Sequence, residues 1–370
     1  MKEGGSAPGA RTTVPVSAGG GGYPVVIGLG LMADVAELVR ERVDAHRFAI
    51  VSDDNVAAFH ADGLLDRFAD AGLDATLLTF PAGEVSKTRK SWSILTDEML
   101  DAGMGRDCCV VAVGGGVTTD LAGFVAATYM RGVSLVQVPT SYLAMIDAAV
   151  GGKTAVDTHH GKNVVGAFHA PELVVVDPAV LDTLPVEERA QGLVEGFKHG
   201  AILDAMYLER LRERVVELLA AEPAAALDAV TRSVQLKAAV VADDEREGGY
   251  RQILNFGHTV GHALEAAADF GVGHGTAVAF GMIAEARIGE ALGVTERGTA
   301  ERLREALSGL GLDSAPRIDP DRIVRHLSAD KKSRSGRARY VLLRGLGSVD
   351  SGVGWTHEVD VSTVVDVLVA

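Results

Sequence analysis

Val110-Val111-Ala112-Val113-Gly114-Gly115-Gly116-Val117-Thr118-Thr119-Asp120-Leu121-Ala122-Gly123 reads as a buried strand, a glycine turn and the start of a helix. Glycines at such a turn let the backbone come close to a pyrophosphate. The helix N-terminus behind them offers free N–H groups and a partial positive charge. The spacing is not a strict G-x-G-x-x-G, because Thr119 stands where the last glycine would fall. A dinucleotide loop and a plain tight turn both fit, and Thr118 or Asp120 is placed to cap the helix in either case.

The same rhythm runs outward. Short β-rich runs at Tyr23–Ile27, 48–52, Ala75–Phe80, 108–113, 133–138 and Leu173–Val176 alternate with amphipathic stretches such as 32–43 and 88–102. That alternation argues for a parallel, wound sheet. The pattern changes near Pro178. Ala, Leu, Glu and Arg at helical spacing predict helices over 187–203, 205–221, 224–242, 251–268, 275–292 and 296–309, with a late strand over 339–344. The expected organisation is a flexible Gly/Ala/Ser/Pro-rich tail over 1–22, an α/β domain over 23–180 and a helical domain over 181–370.

With 370 residues, 47% of them hydrophobic and 23% charged, the chain can bury a sizeable core. The net charge of −15 and the lack of a long basic run exclude a nucleic-acid binder, although a few converging cations can still hold a small anion. Cys108 and Cys109 are adjacent in an apolar run, which disfavours a disulfide between them and fits a reducing compartment. Simple burial is the plainer reading and a reactive thiol the alternative. The first twenty residues have no apolar core of a signal peptide, and no apolar run is long enough to span a membrane. A soluble, cytoplasmic protein is expected.

Gly28-Leu29-Gly30-Leu31-Met32-Ala33 fits G-x-G-x-x-A better than the central turn does, and Asp53 follows at about the right distance. It is set aside because it opens the fold directly after the tail and nothing chemical clusters with it. Asp53 and Asn55, at a strand end, remain candidates to meet a ribose. Glu84 and Lys87 in Pro81-Ala82-Gly83-Glu84-Val85-Ser86-Lys87 either reach the same nucleotide or form a solvated turn.

Gly151-Gly152-Lys153-Thr154 ends like a P-loop, but the required first glycine is missing near Met145 and no strand directly precedes it. With Gly161-Lys162-Asn163 it still suggests backbone and ammonium groups gathered around an anion. Glu195-Gly196-Phe197-Lys198 puts a carboxylate and an ammonium one turn apart among apolar neighbours. In Arg251-Gln252-Ile253-Leu254-Asn255-Phe256-Gly257-His258-Thr259-Val260-Gly261-His262, a helix would stack Arg251, Asn255, His258 and His262 on one face. A further histidine, His274, could fold back as another ligand. Glu195, His258 and His274 would then give one oxygen and two nitrogens with positions left open, as a catalytic zinc site requires. His262 would lie behind them or face the substrate. Lys237, Arg251 and one of Lys331 and Lys332 are either solvated charges or part of an anion site.

From about residue 81 to about 347 these stretches resemble the 3-dehydroquinate synthases, within the sugar phosphate cyclase group. The resemblance is carried by Gly-Gly-Gly-Val-Thr-Thr-Asp-Leu-Ala-Gly-Phe at 114–124, Tyr129-Met130-Arg131-Gly132, Val138-Pro139-Thr140, the stretches 147–153, 161–163, 195–198 and 254–262, and Asp330-Lys331-Lys332. It implies a Rossmann-like NAD domain followed by an all-α domain, the active site between them, and usually a homodimer. It implies Zn²⁺ (or Co²⁺) on Glu195, His258 and His274. NAD would meet Asp53, Gly83, Glu84, Lys87, Gly115, Gly116, Val117, Thr118, Thr119, Asp120, Thr140, Ser141, Lys153, Lys162, Val180, Leu181, Asp182 and Thr183. Catalysis and substrate binding would fall to Lys153, Asn163, Lys198, Lys237, Arg251, Asn255, His262 and Asp147, one of Lys331 and Lys332, and Arg131 reaching across a dimer interface.

The implied reaction takes a small anionic sugar acid phosphate, 3-deoxy-D-arabino-heptulosonate 7-phosphate, to 3-dehydroquinate and phosphate. It runs by transient oxidation, elimination, re-reduction and intramolecular aldol closure. Two positions depart from the family's pattern: Asp157 stands where many relatives carry Asn, and Ser141 where many carry Thr. The retained Gly151-Gly152-Lys153, Arg251 and Asn255 favour a substrate with a C1 carboxylate over the inosose- and valiolone-type ones, and leave an amino-dehydroquinate synthase as an alternative. Rivals of another class are an NAD- and metal-dependent glycerol or alcohol dehydrogenase, which needs fewer substrate-binding cations, and a non-catalytic regulator that binds NAD and metal.

Overall fold

The computed structural model describes residues 11–18, 21–269, 271–312, 319–333 and 338–369; the side chains of 320 and 328–333 lie outside the description. The chain forms two compact units, one from Met1–Pro185 with Pro223–Glu245 and the other from Val186–Glu222 with Arg246–Ala370.

The first unit is a seven-stranded sheet. Its strands are β1 (Thr12–Val16), β2 (Tyr23–Ile27), β3 (Arg47–Asp53), β4 (Ala75–Phe80), β5 (Cys108–Gly114), β6 (Ser134–Pro139) and, after the hairpin β7 (Lys153–Thr158) and β8 (Gly161–Phe168), β9 (Leu173–Val176). They lie in the order β1-β2-β9-β6-β5-β3-β4, with β1 antiparallel to β2 and all other neighbours parallel. Every residue of β5 is buried, because both faces of the sheet are covered. The period of two sends Cys109, Val111 and Val113 into one core with Val35 and Val39 of α1 (Val35–Arg42). A short helix α2 (Asp54–Val56) and a wide turn over Ala57–Ala61 lead into α3 (Asp62–Asp70), whose Leu64 and Phe68 join that core. Cys108, Val110 and Ala112 face the opposite core, with Leu95 and Met99 of α4 (Arg89–Asp101) and Leu121 and Val125 of α5 (Gly116–Thr128). The cysteines thus point to different cores. Burial pushes the Cys108 thiol up to about 11 and Cys109 higher still, so the reading as buried, inert thiols holds over the reactive one.

From Val186 the chain is helical: α6 (Val186–Leu203), α7 (Ala205–Glu213), α8 (Val215–Leu219), α9 (Pro223–Asp243), α10 (His258–Ala267), α11 (His274–Ala291), α12 (Thr299–Ser308), α13 (Pro320–Ser333) and α14 (Val361–Val369). Two small ladders, Arg339–Tyr340 with His357–Glu358 and Leu343–Gly345 with Ser348–Val349, complete the second unit. Its all-α expectation is corrected to that extent, and the single late strand is two short ones. No helix among the described residues is long and apolar enough to cross a membrane.

Three further differences have physical reasons. Residues 12–16, read as tail, form β1; Val14 and Val16 are buried while Thr12, Thr13 and Pro15 are exposed, an alternation hidden by the surrounding Gly, Ala and Pro. Residues 1–10 and 19–20 of the expected tail lie outside the described residues. Helix α9, read as part of a helical domain over 181–370, groups with the sheet unit, where it packs on β1 and the turn Ala144–Ala148; helical periodicity says which face is apolar but not what covers it. The hairpin β7–β8 went unread because its glycines and lysines suggested an anion loop.

Candidate functional site

In the sheet unit the candidates gather at the carboxyl ends of β3 and β5, where the chain order reverses across the sheet, the usual place for a ligand in a wound α/β fold. Asp53 closes β3. Its Oδ1 accepts from the N–H groups of Asn55 and Val56, both at 3.1 Å, and Thr118 Oγ1 donates to Oδ2 at 3.2 Å. Neither Thr118 nor Asp120 caps α5. Gly115 holds the cap position with no side-chain bond, and Asp120 instead receives Lys87 Nζ at 3.1 Å. The upstream Gly28–Ala33 turn is closed to an anion. Buried Asp177 accepts from the N–H groups of Gly30, Met32 and Ala179 at 3.0, 3.0 and 3.1 Å, so a carboxylate already occupies its donors.

Lys87 is buried among Glu84 (3.1 Å), Asp120 (3.1 Å) and Asp157 (3.9 Å). The solvated-turn reading therefore fails for this lysine. Burial pushes the Asp120 carboxyl up to about 6 against the pull of Lys87. Asp157 Oδ1 accepts the N–H of Asn163 at 2.8 Å. Thr140 is buried at the end of β6 and Ser141 Oγ accepts the Ala144 N–H. Leu181 is a core residue, while Asp182 is exposed and Thr183 Oγ1 meets His60 Nε2 at 2.8 Å. Lys237, on α9, reaches both the carbonyl and the carboxylate of Asp147. Arg131 is exposed on a left-handed pair with Met130, at φ 72 and 49.

In the helical unit, α6 is buried almost continuously from Gly192 to Ile202, and it buries Glu195, Lys198 and His199 with the apolar residues. Charged groups in such a helix need partners. Glu195 and Lys198 pair one turn apart. Glu195 Oε1 lies 3.6 Å from His258 Nε2 and 3.4 Å from His274 Nε2. A tetrahedral ion with bonds of about 2.1 Å holds its ligand atoms about 3.4 Å apart, so the donor set fits a divalent ion in chemistry and in spacing. His258 Nδ1 lies 3.2 Å from the Phe256 carbonyl oxygen. A carbonyl can only accept, so Nδ1 carries the proton and Nε2 presents its lone pair towards Glu195. Burial, and then the charge of Lys198, push His258 down to about 3. Burial would also lower His274, but Glu195 and Glu265 outweigh it and raise that imidazole to about 9.

The single-helix reading of 251–268 is corrected. Tyr250–Asn255 is a separate 3-10 turn, and α10 starts only at His258. The break is Gly257, at φ +80, a conformation that other residues avoid. Arg251 is buried in the first piece, where Asn255 Nδ2 donates to Glu247 at 2.9 Å. His258 and His262 remain one turn apart on α10, ring centroids 5.2 Å apart, with His262 exposed. Two residues were missed. Glu265, also buried, lies 3.6 Å from His274 Nδ1; its signal was the spacing of three from His262. Glu285, fully buried on α11, accepts from the start of α10 and gave no signal beyond a lone carboxylate in an Ala/Gly-rich helix. The side chains of Lys331 and Lys332 lie outside the described residues.

The family models described as 3-dehydroquinate synthase N-terminal and C-terminal match residues 77–191 and 192–333. The chain belongs to the 3-dehydroquinate synthase family. It is 45% identical over 324 residues to the 3-dehydroquinate synthase of Symbiobacterium thermophilum, covering 86% of this chain and 90% of that one. Among solved structures it is similar to 2-deoxy-scyllo-inosose synthase complexed with carbaglucose-6-phosphate, NAD⁺ and Co²⁺ (TM-score 0.88, 26% identity, 96% of this chain and 99% of that one). It is also similar to 2-epi-5-epi-valiolone synthase from Streptomyces hygroscopicus subsp. jinggangensis with NAD⁺ and Zn²⁺ bound (TM-score 0.85, 28% identity, 94% and 96%).

Proposed function

We propose that the chain, a phosphate-eliminating cyclase, converts 3-deoxy-D-arabino-heptulosonate 7-phosphate to 3-dehydroquinate and phosphate, using NAD and one divalent ion, zinc or cobalt. The observation that carries the proposal is the convergence of Glu195, His258 and His274 in a chain of this family. When bound, the ion supplies Lewis acidity at the trio and NAD a reversible hydride acceptor, so the reaction ends with no net oxidation.

The remaining work falls to the chain's own groups. Asp53 and the uncapped start of α5 receive the nucleotide, and the ion-paired Lys87 fixes the neighbouring turn. In the helical unit Lys198, Arg251, Asn255 and one of Lys331 and Lys332 are the groups proposed to bind and orient the anionic substrate; in the sheet unit Lys153, Lys162, Asn163 and Lys237 are those proposed to offer positive charge or hydrogen bonds. Preorganised cations of this kind stabilise the departing phosphate. His262, exposed beside the trio, takes and returns protons at its ring nitrogens, while His258 stays neutral. The proposed setting is a cytoplasmic homodimer in which Arg131 reaches the neighbouring protomer's site.

The test is incubation with the heptulosonate phosphate while phosphate and NADH are followed together. Stoichiometric phosphate without accumulating NADH supports the cyclase. Accumulating NADH with a simple alcohol would support a dehydrogenase, and turnover of only the nitrogen-bearing analogue would reassign the substrate.

Ion binding has a pH signature. His274 is raised to about 9, so at neutral pH the ion must displace its proton. Affinity for zinc is expected to rise about tenfold per pH unit up to about pH 9 and then level off. Calorimetry in buffers of different ionisation enthalpy should find about one proton released per ion bound at pH 7.5. No proton release would place the ion elsewhere.

A further inference from the structure

The geometry points to Glu285 as a positioning residue that, through the 256–257 peptide, aims His258 at the ion. This rests on the reading of Glu195, His258 and His274 as ion ligands. A helix N-terminus leaves its first N–H groups without intrahelical partners, and α10 has only Gly257 at its cap, with no side chain to satisfy them. The acceptor comes from another helix. Glu285 of α11 is fully buried; its Oε2 accepts the Gly257 N–H at 2.8 Å and its Oε1 the Val260 N–H at 3.2 Å.

The N–H of Gly257 and the carbonyl of Phe256 belong to one planar peptide. Fixing the N–H therefore fixes the direction of the carbonyl. That carbonyl oxygen lies 3.2 Å from His258 Nδ1 and sets the ring so that Nε2 faces Glu195. The chain of contacts runs from carboxylate to peptide to imidazole to ligand position. It resembles the carboxylate–histidine–metal arrangement with a peptide inserted. Helix α11 also carries His274 as its first residue, so one helix supplies one ligand directly and orients another through its buried glutamate.

Glu285→Gln preserves size but turns an amide NH₂ towards one of the two backbone donors. Zinc affinity of the folded variant, measured by competition with a chromophoric chelator, is expected to fall between about tenfold and a hundredfold. The visible absorption of the cobalt form should shift, and amide exchange at 257–260 should quicken in the ion-free protein. Ile288→Val, a core change on the same helix, serves as the control for lost stability alone and should leave affinity and spectrum unchanged. Glu285→Gln with the parent's affinity and cobalt spectrum overturns the inference while leaving the trio in place. An equal loss of affinity in Ile288→Val also overturns it. A parent that takes up no ion overturns the trio itself, and the inference with it.

Discussion

Glu195→Gln is expected to lower zinc affinity by about a thousandfold or more, roughly 4 kcal/mol, and to abolish ring closure with it. The carboxylate supplies the one oxygen of the trio, 3.6 and 3.4 Å from the two imidazole nitrogens. An amide is a far poorer ligand and carries no charge. The substitution has a second consequence, because Glu195 is also the partner of buried Lys198. Leaving a buried ammonium without its counter-charge costs about 3 kcal/mol or more, so the fold must be checked by denaturation alongside the binding. His258→Ala separates the two effects: it removes a ligand and leaves the Glu195–Lys198 pair intact. Both variants should bind zinc far more weakly than the parent while still taking it up at millimolar concentration, with the larger loss of stability in Glu195→Gln. Parent-like zinc affinity in His258→Ala would show that the histidine is not a ligand.

Gly281→Ala should give the largest loss of stability for a single methyl group. A Cβ there would sit 1.9 Å from the Gly257 carbonyl oxygen and 2.8 Å from the Gly261 nitrogen. Both are backbone atoms of the α10 start, and neither can yield without moving that helix off α11. Overpacking against backbone is expected to cost on the order of 3 kcal/mol or more, read as a fall in the denaturant midpoint. Because His258 begins α10 and His274 begins α11, ion affinity should fall too. Gly261→Ala is the graded comparison. Its nearest contact is the Ala277 carbonyl oxygen at 3.0 Å, and a cost of about 1 kcal/mol is expected. Equal stability of Gly281→Ala and the parent would contradict the close crossing of these helices.

The sheet was legible because β5 and β9 are unbroken apolar runs, every residue of each buried, and β6 is interrupted only by Gln137. The first strand was not, since only Val14 and Val16 carry its alternation. The proposed ion ligands were legible as residue types, because Glu195 stands among Leu193, Val194 and Phe197, and His258 and His262 are spaced for one helix face with His274 close behind. Their route to one place was misread. The spacing of Arg251, Asn255, His258 and His262 fits one helix, yet Gly257 breaks it, and a glycine inside a helical pattern does not announce its φ. Glu265 and Glu285 lie on the far side of the trio, Glu265 beside the His274 Nδ1 and Glu285 accepting the Gly257 N–H. Such contacts exist only once helices have packed, so no local pattern records them.

X-ray absorption at the zinc edge of the chain loaded with one equivalent of zinc tests the trio most directly. One oxygen and two imidazole nitrogens imply light-atom ligands at about 2.0–2.1 Å with outer scattering from two imidazole rings, one ring fewer in His258→Ala. Scattering from sulfur at about 2.3 Å, or a spectrum unchanged by His258→Ala, would contradict the assignment.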